Sequence, residues 1–118
     1  MDWHFSNDTP IYTQLVSQIK FAIVSGALPP GERMSTVRDL SGEAGVNPNT
    51  MQRAFQELER EGLVYSQRGN GRFVTEDVQI IAAAKRALAR QHIGSFIRSM
   101  SSLGYGKGEI IKLLEAEE

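Results

Sequence analysis

The stretch that most constrains the fold runs from Met34 to Val74 and combines two helix patterns, a tight turn and a glycine-tipped pair of strands. The first helix pattern stops at Gly45. The second begins after Val46, with Asn47 as its N-cap and Pro48 at the first helical position. Two helices joined by so short a turn predict a helix-turn-helix motif.

The second of these helices, predicted to run from Pro48 to about Glu61, has two chemically distinct faces. Its apolar residues follow the spacing i, i+3, i+4 and i+7, which predicts one buried face. The residues of that face are Met51, Ala54, Phe55 and Leu58. The opposite face carries Asn49, Thr50, Gln52, Arg53 and Gln56. Such side chains are suited to contacts with phosphates and base edges.

The residues that follow predict a β-hairpin. Strand-like runs of β-branched and aromatic residues, 63–65 and 73–74, flank the glycine-rich segment 67–72. The pair Asn70-Gly71 favours a two-residue turn of type I′, because both central residues of that turn need a positive φ.

This glycine-rich segment has two possible functions. A glycine-rich loop can hold the phosphates of a nucleotide, but such a loop leads into a helix, whereas this one leads into a strand. A hairpin that carries Arg68 and Arg72 beside a helix-turn-helix is instead typical of a wing, which contacts the minor groove or the DNA backbone.

The N-terminal residues predict one structural helix. We expect Thr9 to be its N-cap, Pro10 its first residue and Gly26 its left-handed end. Residues 28–31 are then expected to form a rigid turn, and residues 32–34 a short extended strand. The apolar stripe of this helix consists of Ile11, Leu15, Val16, Ile19, Phe21 and Ile23.

The first helix of the helix-turn-helix is expected to have Ser35 as its N-cap and Thr36 at its first position. Arg38 follows one turn in. Because the first helix of such a motif crosses the DNA backbone, a phosphate or guanine contact is the favoured role of Arg38, and a solvated surface residue is the alternative.

Composition argues against several functions. The chain has no cysteine, and His4 and His92 lie far apart in sequence, so we expect neither a metal site nor a cofactor. No nucleophile, base and orienting residue occur at a spacing suited to an enzyme. There is no apolar run of about 18 residues and no cationic-then-apolar leader, which favours a cytoplasmic protein.

The charge of the chain leaves two classes of function open. Residues 1–75 hold seven basic and eight acidic residues, whereas a nucleic-acid binder usually has a basic excess. The acids Glu57, Glu59 and Glu61 gather in the C-terminal half of the second helix and can point away from DNA. The alternative is a winged-helix module that binds a protein. Clustering of the arginines of the motif would favour DNA, and scattering them among acids would favour a protein partner.

Residues 76–118 predict a helical dimerisation region. Thr75 is expected to cap a helix of about 25 residues, and a break at 103–108 precedes a short helix at 109–117. Two helices with so much apolar surface cannot form a core alone, and the same pair from a second subunit is the simplest partner. The expected dimerisation residues are Ile81, Leu88, Ile93, Phe96, Ile97, Met100, Ile110, Leu113 and Leu114.

The motifs PPG, S-x-x-R-D-L, GVNPNT, L-E-x-E-G-L and G-N-G-R-F-V resemble the winged helix-turn-helix of the GntR family of bacterial transcription regulators. The preceding TPIYTQLVSQIKFAIVSG and the short tail resemble its YtrA-type subfamily. The resemblance implies a repressor that binds a pseudo-palindromic operator as a homodimer. It also implies that any small-molecule effector is unknown.

These patterns and the resemblance together predict a mostly α fold with a small β-hairpin. A winged helix-turn-helix DNA-binding domain occupies residues 1–75, and the two-helix dimerisation tail occupies residues 76–118. Arg72 stands where the family commonly has threonine, which adds a positive charge to the wing. The expected DNA-binding residues are Ser35, Thr36, Arg38, Asn47, Asn49, Thr50, Gln52, Arg53, Arg68, Gly69 and Arg72.

Overall fold

The computed structural model describes residues 1–117 and confirms the predicted fold class, because its described residues form five α-helices and one two-stranded antiparallel sheet. The chain divides into two compact units, of which the first is Met1–Ala84 and the second begins at Lys85. In chain order the elements are α1 (Ile11–Val24), α2 (Val37–Ala44), α3 (Pro48–Arg60), β1 (Val64–Gln67), β2 (Gly71–Val74), α4 (Val78–Ser102) and α5 (Lys107–Ala116).

Helix α3 lies at the centre of the hydrophobic core of the first unit. Its four predicted core residues are all 0% exposed, which confirms the predicted buried face. Leu15, Ile19 and Ile23 of α1 and Val64 and Val74 of the two strands belong to the same buried cluster. The opposite face of α3 is therefore left for contacts outside the unit.

Helix α1 begins one residue later than predicted. Pro10 retains extended backbone (φ −57°, ψ 143°) and is the N-cap, so Thr9 lies outside the helix. The predicted apolar stripe was too wide, because Phe21 is 61% exposed while Ala22 is buried. The buried residues of α1 follow a helical spacing that includes position 22 and excludes position 21. The left-handed end at Gly26 is confirmed by its φ of 87°.

The helix-turn-helix itself forms as predicted, except at its first cap. Thr36 is the N-cap of α2, because its Oγ1 accepts a hydrogen bond from the Asp39 amide at 3.0 Å, and Ser35 lies one residue outside. Gly45 ends α2 in left-handed conformation. Asn47 caps α3 by accepting from the Asn49 amide at 2.7 Å.

The hairpin β1–β2, called the wing below, has a different turn from the predicted one. Gln67 pairs with Gly71, so three residues, 68–70, form the loop. The expected type I′ turn at Asn70-Gly71 is wrong, since no non-glycine residue in the described chain has a positive φ. Gly69 takes a φ of 81° instead, and the Asn70 amide donates to the Gln67 carbonyl at 2.8 Å.

The short segment 32–34 pairs with β2 and extends the wing, as its predicted extended conformation allows. Arg33 forms an antiparallel bridge with Phe73. The Met34 amide donates to the Arg72 carbonyl at 2.8 Å. This pairing fixes the wing directly beside the start of α2.

Helix α4 spans 25 residues, as expected, but its cap is Asp77 rather than Thr75. The Asp77 carboxylate accepts hydrogen bonds from the amides of Gln79 at 3.0 Å and Ile80 at 3.3 Å. The Thr75 hydroxyl instead accepts from the Asp77 amide. Among residues 1–117, no helix is long and apolar enough to cross a lipid bilayer.

The beginning of α4 belongs to the first unit. Ile80, Ile81 and Ala84 are partly buried against its core. The first unit therefore continues past residue 75, where the sequence placed the boundary between the two regions. The assignment of separate functions to the two regions stays a prediction.

Candidate nucleic-acid interface

The first turns of α3 present polar side chains beside the start of α1. Asn49 and Arg53 are exposed and Thr50 is half-buried. The Arg53 guanidinium stacks over the Tyr12 ring, 3.7 Å from its centroid, which orients the arginine. These residues line a groove of about 410 Å³, together with Pro10 and Ile11.

A second cavity, of about 300 Å³, lies between the start of α2, helix α3 and the wing. It brings together five of the predicted DNA-binding residues, namely Ser35, Thr36, Arg38, Gln52 and Arg72. It also contains Arg33, which sequence reasoning missed. No local pattern marks Arg33, which is carried to the cavity by the pairing of segment 32–34 with β2.

The three acids in the C-terminal half of α3 each have a cationic partner in the structure. Glu57 pairs with Arg60 of the same helix, and Glu61 pairs with Lys20 of α1 at 2.6 Å. Glu59 pairs with Arg72 of the wing, also at 2.6 Å. These pairs neutralise the three acids locally, although they leave the net charge of residues 1–75 unchanged.

Glu59 holds the wing against α3. Its Oε1 accepts hydrogen bonds from Arg72 Nε and from the Ser66 hydroxyl, each at 2.6 Å. The Arg72 guanidinium also lies 5.1 Å from the centroid of the Phe55 ring, and the Arg72 side chain is only 23% exposed. Arg72 therefore has a structural role beside its expected DNA contact, and much of the charge it adds to the wing is offset by Glu59.

The same contacts change the pKa of Glu59. Partial burial raises the pKa of this carboxyl, but the hydrogen bonds from Ser66 and Arg72 outweigh burial and leave the pKa below its usual range. A carboxyl whose pKa is lowered on folding stabilises the protein above its unfolded-state pKa, and the contribution disappears as the pH falls through the folded-state value.

We expect Glu59→Gln to lower the free energy of unfolding at pH 7 by about 1 kcal/mol, because a charge-assisted bond to Arg72 becomes a neutral one. Urea unfolding at pH 7 and at acidic pH would measure this difference. The two proteins should converge in stability as the pH drops below about 4, near the ordinary glutamate pKa. A difference in the free energy of unfolding that persists in acid would contradict the assigned ion pair. The matched control is Glu57→Gln, which removes a carboxylate paired within α3.

Three arginines of segment 32–34, α2 and the wing loop have no carboxylate partner within residues 1–117: Arg33, Arg38 and Arg68 form no ion pair there. Arg68 is exposed at the tip of the wing. Neither the groove beside α1 nor the cavity beside the wing has an acidic residue in its lining. The exposed N-terminal half of α3 is thus flanked by arginines and neutral polar groups.

Three predicted DNA-binding residues line neither cavity: Arg68, at the exposed tip of the wing, Asn47 and Gly69. The side-chain oxygen of Asn47 is occupied by its capping bond, which leaves its NH₂ group for other contacts. Gly69 lies in the wing loop and supplies its positive φ.

The predicted dimerisation residues fall into three groups by their exposure in the single chain. Five of them are exposed in the single chain: Ile93, Phe96, Ile97, Leu113 and Leu114. Leu88 and Met100 are partly buried. Ile81 packs against the core of the first unit, and Ile110 is only 5% exposed. The burial of these last two residues therefore needs no second subunit.

A helix-turn-helix with an exposed polar face on its second helix, followed by an arginine-tipped hairpin, defines a winged helix-turn-helix DNA-binding protein. Residues 11–74 match the family described as "Bacterial regulatory proteins, gntR family". The chain therefore belongs to the GntR family, and it is a DNA-binding transcriptional regulator rather than an enzyme.

Two bacterial relatives resemble most of the chain. It is 38% identical to the HTH-type transcriptional regulator YhcF of Bacillus subtilis (strain 168), covering 95% of this chain and 93% of YhcF. It is 33% identical to the HTH-type transcriptional repressor YtrA of the same organism, covering 77% of this chain and 71% of YtrA. The expected resemblance to the YtrA type is thereby confirmed.

Solved structures agree with this assignment. A GntR family transcriptional regulator from Listeria monocytogenes superposes with a TM-score of 0.87 at 38% identity, covering 97% of this chain and 100% of that one. The DNA-binding domain of AraR, solved in complex with operator ORR3, superposes with a TM-score of 0.55 at 29% identity and covers 64% of this chain and 90% of that one.

Proposed function

We propose that this chain is a cytoplasmic repressor that binds a pseudo-palindromic DNA operator as a homodimer. The observation that carries the DNA-binding mode is the placement of two arginine-bearing, acid-free cavities on either side of the exposed start of α3. Helix α3 enters the major groove by its N-terminal half, and the wing contacts the adjacent backbone or minor groove. The solved complex of the AraR domain with its operator supports DNA as the ligand of this fold.

The polar residues of α3 offer more than one kind of base contact. Gln52 and Asn49 can each pair bidentately with adenine, and Asn49 can alternatively hold a phosphate. Arg38 can reach guanine or a phosphate from the start of α2. Arg53, which is oriented by Tyr12, supplies a positive charge in the groove between α3 and the start of α1.

The homodimer is supported by the apolar surface of the tail. Ile93 is 56% exposed, and Phe96, Ile97 and Leu114 are exposed on the same two helices, α4 and α5. So many exposed apolar side chains on two helices are costly in water, and a two-fold symmetric pairing of identical tails buries them. A symmetric dimer in turn requires a symmetric operator. The repressor assignment is supported by the relative YtrA, which is named a repressor.

The charge of the first unit gave the only support for a protein-binding module, and the structure weakens it. Three of the eight acids of residues 1–75 are held in ion pairs along the C-terminal half of α3. Among residues 1–117, Arg33, Arg38 and Arg53 form no ion pair, and the cavities that they line contain no acidic side chain. This placement favours DNA as the partner.

We expect Arg38→Ala and Arg68→Ala to weaken operator binding. Loss of a side chain that contacts a base should weaken binding by about 1 to 3 kcal/mol. Loss of a side chain that holds a phosphate should lower the slope of log K against log salt by about one unit. Selection from random DNA would first provide the operator, and fluorescence anisotropy across a salt series would then give both quantities. Unchanged affinity and unchanged salt dependence in both variants would refute this interface.

A further inference from the structure

We infer that Arg33 binds a phosphate of the DNA backbone at the junction between the start of α2 and the wing. The inference rests on the proposed DNA-binding mode and adds a residue to it. Sequence patterns leave Arg33 in an unremarkable connection between a proline-rich turn and a helix. Its backbone pairing, the position of its guanidinium and the absence of an ion pair to it among residues 1–117 together assign it this role.

The backbone of Arg33 is held on both sides. The Val74 amide donates to the Glu32 carbonyl at 2.8 Å, and the Met34 amide donates to the Arg72 carbonyl at the same distance. Arg33 itself bridges to Phe73. Its Cα is therefore fixed relative to the wing, and little conformational entropy of the backbone remains to be lost when its side chain meets DNA.

The guanidinium of Arg33 lies over Gly71, at the end of the wing nearest its loop. A Cβ placed on Gly71 would lie 3.4 Å from Nε and 3.6 Å from Nη2 of Arg33. Gly71 also has a φ of 95°, which other residues rarely adopt. The glycine thus leaves room for the flat guanidinium to rest against the wing, where it lines the same cavity as Arg38.

The charges in this cavity suit an anion. Arg72 is paired with Glu59, whereas Arg33 and Arg38 pair with no carboxylate in the part of the chain that the structure describes. The hydroxyl-bearing residues Ser35 and Thr36 complete the polar lining. A planar guanidinium binds the oxygens of a phosphate through paired N–H groups, and duplex DNA presents phosphates wherever α2 and the wing meet its backbone.

The first test measures the salt dependence of operator binding for the full chain and three variants. Arg33→Gln should lower the slope of log K against log salt by about 0.9 for each protomer bound, and should weaken specific and non-specific DNA alike. Arg33→Lys keeps the charge and should retain most of the slope. Arg60→Gln removes the same charge at the far end of α3 and should leave the slope close to that of the parent protein.

The second test locates the contact. Single phosphates of the operator are replaced, one at a time, by neutral methylphosphonates. At one position in each half-site the replacement should weaken binding of the parent protein but have little further effect on Arg33→Gln. If the parent protein binds the operator and no position shows this coupling, or the slope of Arg33→Gln is unchanged, the assignment of Arg33 is wrong. If the parent protein selects no operator at all, the proposed function fails instead.

Discussion

Replacing Phe96 by aspartate is expected to convert the proposed homodimer into a monomer and to weaken operator binding by about 10²- to 10⁴-fold. Phe96 is 40% exposed on α4, within the apolar surface that the proposed dimer buries. A carboxylate at that position would lose its hydration on dimerisation without gaining a partner. A dimer binds its second half-site as an intramolecular event, so the loss of the dimer removes that whole advantage.

Sedimentation velocity and anisotropy on the same samples would measure both effects. Gln91→Asp is the matched control, because it adds the same charge to an exposed residue on another side of α4. A fragment of residues 1–84 should be a folded monomer with the weak affinity of one half-site, since the first compact unit ends at Ala84. A Phe96→Asp protein that remains dimeric would contradict the proposed role of the tail.

The central helix of the fold could be predicted from the sequence because its signals are local and mutually consistent. The apolar spacing of Met51 to Leu58 and the Asn47-Pro48 start are both encoded within α3 itself, and the structure has both. The cap of α2 was misplaced by one residue because Ser35 and Thr36 are nearly equal as caps. They are distinguished by the hydrogen bond that Thr36 Oγ1 accepts from the Asp39 amide.

The turn of the wing shows where local signals fail. Asn70-Gly71 carries the strongest sequence signal for a two-residue turn, yet Gly71 is a strand residue paired with Gln67. Strand β2 is hydrogen-bonded on both edges, to β1 and to segment 32–34. The second edge is a pairing between residues some forty positions apart, and no window of local sequence contains it.

The candidate site was incomplete for the same reason. No sequence pattern pairs Arg72 with Glu59, thirteen residues away, so the predicted free charge of the wing was too high. Nor does any such pattern select Arg33, which reaches the wing only through its bridge to Phe73. The sequence thus supplies a set of candidate DNA-binding residues that stays a prediction, whereas the structure shows which of their charges are unpaired among residues 1–117.

Phe55→Ala is expected to lower the free energy of unfolding of the first unit by about 3 to 5 kcal/mol, a large share of the roughly 5 to 15 kcal/mol typical of a domain. Phe55 is 0% exposed, and its ring also supports the guanidinium of Arg72. The substitution therefore removes core packing and one support of the wing at the same time.

Urea unfolding of the Phe55→Ala protein, compared with Gln56→Ala, would test this expectation. Gln56 is the exposed neighbour of Phe55 on α3, and its replacement should change stability by less than about 0.5 kcal/mol. If the two variants were equally stable, Phe55 could not be the centre of the core. Because the wing rests partly on this ring, Phe55→Leu, which keeps most of the volume, should stay folded yet bind DNA less tightly than the parent protein. Unchanged DNA affinity in Phe55→Leu would show that the wing is positioned by Glu59 and segment 32–34 without the ring.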